Sequence, residues 1–176
     1  MPLTLTAAST EFVSLAEVRD HVNVTGDRSD VELDMMRGAA QDVVEGLVGP
    51  VLHRTVTDRS WPRGGLVMLS VVPVLSVTSV TANAVAVSGS VLESGGLLSG
   101  VTGYGPVTVA YVVGRLVVPD AIRLATLIIA AHLWRTQQGS TPASFGDDVT
   151  ATPIGFAVPN RAVELLRPYE LGPVVA

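Results

Sequence analysis

The sequence contains no cysteine, and every one of its 11 basic side chains of the Lys/Arg class is arginine. Without cysteine there are no disulfides, thiolate zinc sites or thiol nucleophiles. Without lysine there is no P-loop lysine, Schiff base or catalytic ammonium. Aromatic residues make up only 5% and charged residues only 15% of the chain. Long apolar runs are missing too. The greasiest stretch, "VPDAIRLATLIIAAHLWRTQQG" (Val118–Gly139), is interrupted by Arg123 and His132. The apolar segment between them falls well under the roughly 20 residues that a membrane span needs, and two ionisable groups in so short a run are costly in lipid. No membrane partner is therefore expected. The opening "MPLTLTAASTEF" has neither a basic n-region nor an apolar h-region, so no secretory signal is read there.

What is present points to a globular chain with partners. Its 176 residues suffice for one core, or for a domain with a sizeable insertion. A hydrophobic content of 48% argues against disorder and for a surface partly covered by other proteins. The formal charge of -5 argues against a protein that grips nucleic-acid phosphates, while leaving room for a surface that DNA slides past.

The pattern along the chain is α+β: a helical core of two N-terminal helices and a long apolar helix, an inserted antiparallel β subdomain, and a C-terminal arm. Residues 1–13 read as an extended arm. Residues 14–50 and 118–138 supply the helical core, 51–117 the β subdomain, and 139–176 a linker, short helix and tail. Ser14 and Glu17 form an S-x-x-E capping box, and Ser29 with Glu32 a second one. In the helix after it, Leu33, Met36, Ala40, Val43, Val44 and Leu47 fall on one face. Asp30, Asp34, Arg37, Gln41 and Glu45 fall on the other, which reads as solvated. On this assignment Leu47→Asp buries an unpaired charge. Gly49 and Pro50 stop the helix.

From Val51 the texture turns to Val and Thr punctuated by Gly, Pro, Ser and Asn. "HRTVTDRSW", "GLVMLS", "VLSVTSVTA", "AVAV", "GLLSG" and "PVTVAYVVG" read as short strands. Val107, Val109 and Tyr111 alternate with Thr108 and Ala110, as in a strand with two unlike faces. Pro119 opens the long apolar helix, on which Arg123, Thr126 and Gln137 share a narrow polar stripe. A helix apolar on nearly all sides belongs in a core or an interface. "GSTPASFGDDVTATPIGFAV" (139–158) reads as a linker, and a last helix spans about Asn160 to Arg167 before Pro168.

Few residues suggest chemistry. His21, His53 and His132 lie in separate elements without metal-ligand spacing, and His132 reads as a packed side chain. Asp147–Asp148 reads as a solvated acidic turn. "GVTGYG" (100–105) leads into a strand rather than a helix N-terminus, so it reads as a hairpin connection and not a phosphate loop. Ser14, Ser29 and Ser140 lack a neighbouring base, and G-x-S-x-G is absent. Neither an enzyme nor a cofactor site is expected.

The order of these pieces carries a resemblance. "SLAEVRDHVNVTGDRSDVELDMMRGAAQDVVEGLVG" resembles the paired N-terminal helices of the head-to-tail connector, or adaptor, proteins of long-tailed bacteriophages. The likeness runs through Leu15–His21, Asp27–Asp30 and Ala39–Gly49. "RTVTDRSW", "LSVVPVLSVTSVT" and "VTVAYVVGRLVVPDAIRLATLIIAAHLWRTQQG" continue it toward the β-containing branch found in phages of actinobacteria. "IGFAVPNRAVELLRPY" resembles the family's tail. The resemblance implies a structural virion protein at the capsid–tail neck, assembled in the host cytoplasm as a dodecameric homo-oligomeric ring under the portal. Its partners are then the portal protein, the next tail-proximal connector, stopper or tail terminator, and double-stranded DNA passing without specific binding. It supplies no catalytic, metal or cofactor residues.

Two surfaces are candidates under this reading. Asp30, Asp34 and Glu45 are candidates for the channel lining, from their acidity. Arg161, Val163, Leu166, Arg167 and Tyr169 are candidates for portal binding, because so short a helix is marginal alone and Arg and Tyr are favoured interface anchors. Deleting 159–176 is then expected to leave a stable subunit that no longer joins filled heads. The alternative from another class is a monomeric carbohydrate- or protein-binding module with its site on the β subdomain. The scarcity of aromatics counts against it.

Overall fold

The computed structural model describes residues 11–137 and 157–171, and its class is α+β. In chain order the elements are α1 (Leu15–Val22), α2 (Asp30–Val48), β1 (Arg54–Ser60), β2 (Val67–Met68), β3 (Val74–Ala82), β4 (Val85–Ala86), β5 (Val91–Leu92), β6 (Leu97–Ser99), β7 (Val107–Val113), α3 (Asp120–Gln137) and α4 (Asn160–Leu166). They divide into two compact units, one from Val48–Val118 and the other from Glu11–Leu47 with the described part of Pro119–Glu170.

The β unit holds a four-stranded sheet of order β1-β7-β3-β4 and a three-stranded sheet of order β2-β6-β5, with every pairing antiparallel. The central β7 has the alternation its sequence promises: Val107, Val109 and Tyr111 are fully buried, and Thr108 and Ala110 only partly. They meet Val67, Leu69, Val80 and Leu98 in one core. Asn83 and Ala84 both take positive φ (48° and 65°) in the two-residue turn joining β3 to β4. That is the backbone of a type I′ hairpin. The 100–106 loop is not a hairpin, because it leads from β6 in the small sheet to β7 in the large one.

Where the chain enters and leaves this unit, its two ends run side by side. Arg115 donates from its backbone N to Val51 O (3.0 Å) and from Nη2 to Val48 O (2.9 Å), and His53 Nε2 donates to Arg115 O (2.8 Å). The approach is close enough that a Cβ on Gly114, at φ +124°, would lie 2.6 Å from Leu52 O. Only glycine fits there.

In the helical unit, Ser14 and Glu17 form the expected capping box on α1. Gly49 ends α2 with φ +75°. The buried line of α2 is Leu33, Met36, Ala40, Val44 and Val48. Leu47, expected in the core, is 37% exposed. After Met36 the line advances in steps of four, and each step overshoots a full turn by about 40°, so the core stripe has rotated past Leu47 by the end of the helix. Gln41 departs the other way: it is buried, because its Oε1 accepts from the backbone N of Phe12 (3.1 Å) and Val13 (3.4 Å). On α3, Thr126 is also buried rather than part of a polar stripe, with Oγ1 donating to Ile122 O (2.8 Å). α3 packs with α1 and α4, burying Ile122, Ala125, Ile129 and Trp134.

Candidate interaction surfaces

The acidic side of α2 is largely tied to its own chain. Arg19 Nε donates to Asp30 (2.6 Å) within an ion pair, and Arg37 bridges Asp34 (2.8 Å) and Glu11 (2.6 Å) while donating to Val13 O (3.2 Å). Of the three channel-lining candidates, Asp30 is thus half-buried against a guanidinium, Asp34 is exposed and paired, and Glu45 is half-buried. Glu17 is paired with Arg123 across α1 and α3. Hydrogen bonds from Ser14, the backbone N–H first and the hydroxyl second, outweigh partial burial and, with Arg123, hold the Glu17 carboxyl below its usual range.

The portal-binding candidates do not share one surface. Leu166 is fully buried, as is Ala162, and together they seat α4 in the helical unit. Leu166, expected to meet a partner, is instead covered within the subunit: its spacing from Ala162 makes one apolar face against α3, which counts against a tail dispensable for the fold. Val163 and Tyr169 are half-buried, whereas Arg161 and Arg167 are exposed. The proposed linker lies almost wholly outside the described residues, as do Asp147, Asp148 and Ser140.

Arg161 belongs to an arrangement that spacing alone does not disclose. It lines a depression of about 250 Å³ with His21, Leu124, Ile128, Ala131 and Arg135. The floor is apolar, the rim carries two arginines and a histidine, and among the described residues no carboxylate lines it. Leu124, Ile128, Ala131 and Arg135 follow one another at helical spacing on α3. The arrival of His21 from α1 and Arg161 from α4 is tertiary.

In the β unit, the Asp58 carboxylate accepts from Ser70 N, Ser70 Oγ and Tyr111 Oη, each at 2.7 Å, and Tyr111 Oη accepts from Val71 N (3.2 Å). Burial pushes Asp58 up, but these donors outweigh it and hold the carboxyl below its usual range. Burial first, and the Asp58 carboxylate second, push the Tyr111 hydroxyl up. This network joins β1, β7 and the segment before β3. Every member has a partner within it, so it reads as a structural tie.

Among the described residues no His/Cys/Asp/Glu group has the makings of a metal site, and no helix is long and apolar enough to cross a membrane. The family model described as head completion protein matches residues 11–170. Two solved structures are similar in fold. A chain from the neck of an empty gene transfer agent particle, computed with C6 symmetry, aligns with TM-score 0.59 and 19% identity over 92% of this chain and 91% of that one. A chain from the virion of a native gene transfer agent particle aligns with TM-score 0.58 and 20% identity over the same shares, 92% and 91%. No curated protein matches the chain significantly.

Proposed function

This chain belongs to the head completion protein family, and on that footing we propose that it forms a ring beneath the portal. It is a structural protein of the head-to-tail connection and not an enzyme. In the proposed assembly about twelve copies bridge the portal to the next tail-proximal protein, a stopper or tail terminator, and duplex DNA passes through the centre. The subunit is assembled in the host cytoplasm and stays in the virion neck.

The observation that carries the portal contact is the basic-rimmed depression at Arg161, Arg135 and His21. In a chain of charge -5, an apolar floor flanked by two guanidinium groups fits a partner segment that carries a carboxylate beside an apolar side chain. Of the α4 candidates Arg161 carries this contact, because Val163 and Arg167 lie on the other flank of the buried Ala162–Leu166 line. The channel wall is assigned to the acidic side of α2, with Asp30, Asp34 and Glu45, where Arg19 and Arg37 offset part of the charge of Asp30 and Asp34. An acidic wall keeps DNA phosphates from sticking.

The test is a subunit carrying Arg135→Glu and Arg161→Glu, mixed with purified portal and with filled, tailless heads. Both side chains are exposed, so the subunit should melt within about 0.5 kcal/mol of the parent. It should no longer attach. Attachment at parental affinity would place the portal contact elsewhere.

A further inference from the structure

One end of the four-stranded sheet gathers an exposed surface that the rest of the chain does not explain. Ser60 and Ala82 both pair with Val107, so Trp61, the Asn83–Ala84 turn and the 101–106 loop all sit at that end. Asn83 Nδ2 donates to Tyr104 O (2.5 Å), and Val101 N donates to Gly65 O (3.0 Å), which ties the loop to the 63–66 turn. At this tip Tyr104 is 94% exposed, Trp61 69% and Val85 68%. One of the two tryptophans and one of the three tyrosines therefore stand in water together. The charges of the tip are Arg59 and Arg63, both exposed, and residues 59–66, 82–86 and 101–106 contain no carboxylate. Neither arginine has an ion pair among the described residues.

A surface of matching character lies on α2. Val31 is 77% exposed and Met35 71%, and Ala39 and Asp42 continue the same stripe at helical spacing, with Glu32 at its edge. The stripe has carboxylates and no cation. It borders a groove of about 440 Å³ lined by Met35, Met36, Ala39 and Leu133.

We propose that the β tip of each copy docks on the outer α2 stripe of the next copy, with Trp61 and Tyr104 on Met35 and its groove and Arg59 and Arg63 facing Glu32 and Asp42. The occupant is a second copy because both halves of the contact are on this chain and their charges are opposite. Aromatic and arginine anchors over an apolar groove make the usual centre of a protein interface, and a thioether is a favourable neighbour for a ring. Two different patches meeting head to tail form a heterologous contact, the kind that makes a ring when its rotation closes. The inference rests on the ring reading given above and names the surfaces that make the ring.

Two full-length variants test it: a tip variant (Trp61→Ser, Arg63→Ser, Tyr104→Ser) and a stripe variant (Val31→Ser, Met35→Ser, Asp42→Ser). Their assembly is read by native mass spectrometry and sedimentation, alone and on purified portal, with circular dichroism and melting as checks of the fold. The parent should form rings. Each variant alone should associate at least about thirtyfold more weakly and run as a monomer. An equimolar mixture keeps one intact tip and one intact stripe per pair, so it should give a heterodimer and nothing larger. Rings from either variant would overturn the proposal, and so would a mixture that stays monomeric. If instead the parent itself never forms a ring, alone or on portal, the ring reading falls along with the contact, and that failure is distinct from the other two.

Discussion

Leu166→Ala separates a tail that belongs to the fold from one that waits for a partner. Leu166 is fully buried, and the truncation removes three carbons. At about 0.8 kcal/mol per buried methylene the transfer part alone is roughly 2.4 kcal/mol. The cavity left behind brings the range to about 2–5 kcal/mol. For a chain of this length each kcal/mol moves the melting midpoint by about 2–4 °C, so a loss near 3 kcal/mol lowers it by roughly 6–12 °C. A ceiling applies: α4 has only 7 residues and little helical stability of its own, so it can come off α3 before the whole cost is felt. Detachment would appear as faster cleavage within 157–171 with a smaller fall in midpoint. Calorimetry and limited proteolysis on the same samples read both outcomes, and the exposed Arg161→Ala serves as the control. A Leu166→Ala protein with parental melting and parental protease resistance would refute the seating of α4.

Three further outcomes are expected. Ala84→Gly relieves roughly 1–2 kcal/mol of left-handed strain in the β3–β4 turn against about 0.4–1 kcal/mol of added unfolded-chain entropy, so it should stabilise the protein by roughly 0.8 kcal/mol in urea unfolding. Leu47→Asp, where nearly two-thirds of the side chain is covered, should cost roughly 1–2 kcal/mol, whereas Val44→Asp, at a fully buried site, should cost more than about 3, as compared by melting. Glu17 and Asp58 have carboxyl pKa values below their ordinary 4.5 and 3.8, so they contribute stability that is fully present above those values and is lost as pH falls through the depressed ones. Urea midpoints should therefore drop below about pH 4, and Glu17→Gln with Asp58→Asn should flatten that drop.

The parts legible in the sequence are those where local chemistry decides. Ser14 and Glu17 need only each other to cap α1, Gly49 needs only its own backbone freedom, and the β-branched run 74–82 is a strand at its stated bounds. Leu47 and Gln41 escaped because a helical wheel assumes a core stripe of constant direction and sees no arm. The stripe rotates, and residues 12 and 13 bring backbone donors that draw a glutamine inward. Val91–Leu92, a two-residue strand, has too few residues to show a period. The family resemblance was readable from the order of segments. The interaction surfaces were not, because the Arg135–Arg161 depression and the Trp61–Tyr104 tip each draw residues from distant parts of the chain.

The hydrogen bonds that join Val48, Val51 and His53 to Arg115 give the β unit the topology of a closed loop. Its two ends are held together by a backbone bond and by the Arg115 and His53 side chains, so the span the flanking chain must bridge is fixed whatever lies between. Loop-closure entropy grows only slowly with length, and here the closure is made at the neck of the loop. Strands or turns can be added, shortened or exchanged between His53 and Gly114 without changing that span. A scaffold of this kind can keep its place in an assembly while the surface it presents drifts to suit a new neighbour.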